Sequence, residues 1–96
     1  MDPARKIILH LTSGSLSRLD STVAEFMAGG VAFVAVVGPR ASYVEDLIDE
    51  ICVGDGTAEP YELLTSSHEG ATLQDAIEFS NLLPGEFSGP CRVVEI

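Results

Sequence analysis

The chain has 96 residues, 46% of them apolar, and carries fifteen Asp and Glu against five Lys and Arg, a formal net charge of −10. That length serves a single domain, residues 1–96, with one core that needs neither metal nor disulfide. The acidic balance disfavours nucleic acid and anionic membrane surfaces, which recruit clustered Lys and Arg, and favours solubility or a basic protein partner.

Residues 6–11 (KIILHL) are short, apolar and β-branched at their start, and turn formers follow, so they predict the first strand. His10, inside that run, is expected to be a packed, hydrogen-bonded core histidine. The stretch holds too few apolar residues for a secretory leader and has no cleavage motif behind it, so a cytoplasmic protein is expected. Leu16, Leu19, Val23, Phe26 and Met27 then recur at steps of three and four, which predicts a helix beginning between Ser15 and Thr22 and stopped by Gly29-Gly30.

Residues 31–37 form an unbroken apolar run of seven, the longest in the chain. It is far short of the roughly 20 needed to span a bilayer, and it reads instead as a strand buried on both faces of a parallel sheet. Ser42 and Glu45 have capping-box spacing, and Val44, Leu47, Ile48 and Ile51 follow on one helical face, predicting a second helix that ends before Gly54. Turn residues lead to a third strand at residues 61–66. Thr72 caps a third helix that buries Leu73, Ala76, Ile77 and Ser80, and residues 91–96 make a fourth strand.

This βαβαβαβ order predicts a three-layer α/β domain, a four-stranded, mainly parallel sheet flanked by three helices. Strand order 3-2-1-4 is expected because the first two strands are the most apolar, and right-handed crossovers then put the first two helices on one face and the third on the other; order 2-1-3-4 is the alternative. One helix cannot cover four strands, so Phe79, Leu82, Leu83 and Phe87 are expected either to cover the second face or to form an interface, including one between two copies of the chain in a homodimer.

Ligands of open α/β sheets bind at the carboxyl ends of the strands. Three loops converge there and supply Ser13, Ser15, Arg40, Ser66 and His68 as candidate ligand-binding residues. No phosphate motif supports them: after Gly38 the chain has neither the second glycine nor the lysine of a Walker loop, and Pro39 removes an N–H donor. Ser66, Ser67, His68 and Glu69 contain the residue types of a catalytic triad, but neighbours on a loop seldom face one another, and GxSxG is absent. Cys52 and Cys91 show no metal or dithiol spacing; two packed thiols are expected, with a disulfide as the alternative. No metal and no cofactor are expected.

Glu45, Asp46, Asp49 and Glu50 place four carboxylates on the solvent side of the second helix, as candidate partner-binding residues. The function expected from these features is a small, non-catalytic interaction module, of an adaptor, inhibitor or immunity type, docking a basic partner. The alternative is a small-ligand or anion sensor, or a degenerate enzyme, using the three loops.

Overall fold

The computed structural model describes residues 6–12, 16–54, 63–83 and 91–96 of the chain. Alternating apolar runs and amphipathic segments fold there into β1 (Lys6–His10), α1 (Leu19–Ala28), β2 (Phe33–Val37), α2 (Ala41–Val53), β3 (Leu64–His68), α3 (Leu73–Asn81) and β4 (Cys91–Glu95). The strands form one sheet in the order β3-β2-β1-β4. Every pairing is parallel, with Lys6 opposite Phe33 and Cys91, and Phe33 opposite Leu64. The expected order 3-2-1-4 is therefore the one adopted.

Because side chains alternate along a strand, this register sorts the sheet into two faces. Ile7, Leu9, Val34 and Val36 pack with Leu19, Val23 and Phe26 of α1 and Val44, Ile48 and Cys52 of α2. Ile8, Phe33, Ala35 and Val37 pack on the opposite face with Ala76 of α3, and Leu73, Ile77, Leu83 and Cys91 flank them. As expected, α3 is the one described helix that packs on this second face. Leu64 of β3, Val93 of β4, Phe79 and Leu82 remain exposed beside it, while Phe87 lies outside the described residues.

The buried cation of the core was not foreseen. Lys6 is only 1% exposed, and its Nζ donates to the carbonyl of Ser80 at 2.7 Å. That carbonyl lies in the last turn of α3, which has no basic residue of its own. Lys6 thus brings from β1 the positive charge that a helix C-terminus favours.

Local chemistry accounts for most boundaries. Helix α1 ends in a Schellman motif: Gly30 has φ 76°, and the N–H groups of Gly30 and Val31 donate to the carbonyls of Met27 and Phe26. Val31 is thereby spent on the cap, and β2 starts at Phe33 rather than at residue 31. Thr72 caps α3 through a complete capping box with Asp75, as its sequence predicts.

Four expectations are corrected. The Ser42–Glu45 capping box does not form. Instead Arg40, at φ 64°, is the N-cap of α2, because Ala41 is fully buried and draws the helix start two residues earlier. The third strand occupies Leu64–His68 rather than residues 61–66; it keeps pairing for the whole length of β2, down to His68 opposite Val37. Residues 61 and 62 lie outside the described residues. The disulfide alternative also fails, since Cys52 and Cys91 are free and belong to clusters on opposite faces of the sheet. Finally, His10 is packed but not fully hydrogen-bonded: its buried Nδ1 has no partner among the described residues.

Candidate functional site

β3 is an edge strand, and its two faces differ in chemistry. Thr65 and Ser67 point to the α2 side, where the Thr65 hydroxyl donates to Oδ1 of Asp49 at 3.3 Å and the Ser67 and Ser42 hydroxyls lie 3.5 Å apart. Leu64, Ser66 and His68 share the α3 side with Phe33, Ala35 and Val37. There Ser66 Oγ and His68 Nε2 are hydrogen-bonded at 2.8 Å, and the His68 ring packs 4.8 Å from that of Phe79.

Residues two apart lie on the same side of a strand but not generally of a loop, so the extension of β3 to His68 is what brings Ser66 and His68 together. A hydroxyl at this distance from an imidazole is the first half of a nucleophile and base pair. The second half is lacking: among the described residues no carboxylate orients the ring. Within the described residues, the pair satisfies two polar groups beside Phe79.

The other sequence-derived ligand residues do not join it. Ser13 and Ser15 lie outside the described residues. Arg40 lays its guanidinium 4.7 Å from the ring centre of Tyr43, a cation–π contact that engages its charge locally. At the start of α2, the N–H of Ser42 donates to Oε1 of Glu69 at 2.9 Å. A carboxylate of the chain itself thus sits where the exposed N–H groups of a helix would attract an anion.

The four carboxylates of α2 are divided by helical geometry. Glu45 and Asp49, one turn apart, share with Ser42 the stripe that faces β3. Asp46 and Glu50 lie further round; both are exposed, as is Asp49, while Glu45 is partly buried. Burial pushes the Glu45 carboxyl above its ordinary value of 4.5, and the neighbouring charges of Asp49 and Asp46 push it in the same direction, with His68 opposing them. Burial and Asp49 likewise raise the Cys52 thiol above its ordinary 9.0. Helix α2 contains no Lys or Arg to offset this crowding.

Thr65, Ser67 and Glu69 were not singled out from the sequence as contributors to this flank. The signal was present in the alternation Thr65, Ser67, Glu69 against Leu64, Ser66, His68, a period of two that marks a strand.

Fold and site together define an open, all-parallel α/β domain whose edge strand is bordered by acidic side chains. The chain belongs to the family described as Domain of unknown function (DUF7684), whose family model matches residues 2–86. No curated protein and no solved structure matches the chain significantly. No helix among the described residues is long and apolar enough to cross a membrane.

Proposed function

We propose that this chain is a non-catalytic interaction module that docks a basic protein partner against the flank formed by α2 and β3. The observation that carries this reading is the clustering of Glu45, Asp46, Asp49 and Glu50 on a helix without a cation of its own, where burial first, and then the charges of Asp49 and Asp46, raise the Glu45 carboxyl. Lys or Arg side chains from a partner would relieve that repulsion, and complementary charge of this kind also speeds encounter and selects partners. The anion-sensor alternative has less support, because Glu69 already takes the N–H of Ser42 and Arg40 is stacked on Tyr43.

Affinity capture with the native chain, beside a D46K/D49K/E50K variant, tests the reading. A basic protein retained by the native chain at low salt, released as salt rises and not retained by the variant is the expected result, since screening weakens exposed charge pairs. Retention that is indifferent to both salt and the charge reversal would refute it.

A further inference from the structure

The open side of β3 gives this docking flank a specific geometry. In a parallel pair, alternate residues direct both N–H and C=O to the neighbouring strand while those between direct theirs away. The N–H of Leu64 donates to the carbonyl of Ala32 beside β2, so Leu64, Ser66 and His68 bond inward. Thr65 and Ser67 therefore turn their N–H and C=O groups toward the outer edge. Among the described residues, order β3-β2-β1-β4 leaves that edge without a neighbouring strand in the sheet.

The side chains bordering this edge are of two kinds. On the α2 side stand the carboxylates of Glu45 and Asp49, with Asp49 in contact with Thr65. On the α3 side, Leu64 is 52% and Phe79 is 40% exposed.

We infer that β3 accepts an extended segment of the basic partner as a fifth strand, with side chains alternating between cationic residues toward α2 and apolar residues toward α3. Strand addition supplies main-chain hydrogen bonds from Thr65 and Ser67, and the alternation supplies specificity. This inference rests on the basic-partner reading and adds to it the conformation and pattern of the segment bound. A second copy of the chain is a poor occupant. Antiparallel pairing of β3 with itself would bring two α2 stripes, each carrying Glu45 and Asp49, to the same side of the joined sheet, where like charges repel.

The probe is a capped heptapeptide, Lys-Val-Lys-Val-Lys-Val-Lys, titrated into the full chain at low salt and followed by amide NMR. A second peptide has the same composition in blocked order, with the lysines together and then the valines. The alternating peptide is expected to bind at least tenfold more tightly than the blocked one and to slow hydrogen exchange at the amides of Thr65 and Ser67. Ser67→Pro removes one outward donor at a position where an edge strand tolerates proline, and should weaken binding about tenfold.

The peptide itself provides a test that leaves the protein unaltered. N-methylation at every lysine or at every valine blocks one edge of the bound strand or the other, so one version should lose binding while the other retains it. Equal binding of both methylated versions, together with equal binding of the alternating and blocked peptides, would overturn strand addition while leaving the basic-partner reading intact. Failure of every lysine peptide to bind would overturn both.

Discussion

Gly38 ends the apolar run of β2 at a position where no side chain fits. Its φ of 126° is one that L residues rarely adopt, and an added Cβ would lie 3.0 Å from both Cβ and the carbonyl oxygen of Leu11. The glycine is therefore explained by the close passage of the segment after β1, with no need of a phosphate. Gly38→Ala should cost about 2 kcal/mol or more, combining backbone strain with the clash. Gly30→Ala, where φ is 76° but nothing lies within 4 Å, should cost only about 1 kcal/mol. Denaturant titration checks the pair, and equal losses would show that the approach to Leu11 is unimportant. Residues of this kind divide the legible from the illegible. A glycine after a strand signals a turn in any sequence, whereas Lys6 looks like an ordinary polar strand end until the carbonyl of Ser80, 74 positions away, is placed beside it.

At the scale of elements, α2 was legible because a period near 3.6 and a glycine stop define a helix without tertiary information. β3 was less so: Thr-Ser-Ser-His carries weak strand propensity, and its pairing is imposed by β2. What neither segment shows alone is their joint electrostatics. Glu45 holds its proton more tightly in the folded chain than its ordinary value of 4.5 implies. For a carboxyl raised in this way, the stabilisation is present in full below the unfolded value and is lost as pH rises through the folded one. Glu45→Gln removes the charge and keeps the shape, so it should raise the melting temperature at neutral pH. The gain should shrink as pH falls through the window just above 4.5. Melting curves of the two proteins across that range check the sign; a lower melting temperature for the variant at neutral pH would contradict it. The acidic cluster itself was visible in the sequence, but its division into a stripe beside β3, with Glu45 partly buried, and a pair turned further round depends on how the helix is seated.

For the whole molecule, strand order followed from the handedness of crossovers and the apolar character of the first two strands, and the two-faced core followed from strand order. The sheet separates the cysteines. Cys52 is buried on the α1 and α2 side with its thiol raised by burial and Asp49, while Cys91 is partly accessible on the α3 side. Alkylation of the native protein should therefore modify Cys91 well before Cys52, with Cys52 reacting at the rate of unfolding or local opening. Peptide mapping by mass spectrometry reads the order, and faster modification of Cys52 would be inconsistent with the arrangement of the two faces.

The same topology has a consequence for how the protein is made. β1 lies in the interior of the sheet, yet it leaves the ribosome before the other three strands and its neighbour β4 leaves after them. Until β4 emerges, one side of the apolar segment Ile7, Ile8 and Leu9 has no strand to pair with, and until α3 emerges the side chain of Lys6 has no helix end to meet. Closing such sequence-distant contacts is slow, and an unpaired apolar strand can meanwhile join another chain. A strand whose first four residues are buried in the finished molecule is thus the one that a nascent chain must keep out of trouble longest.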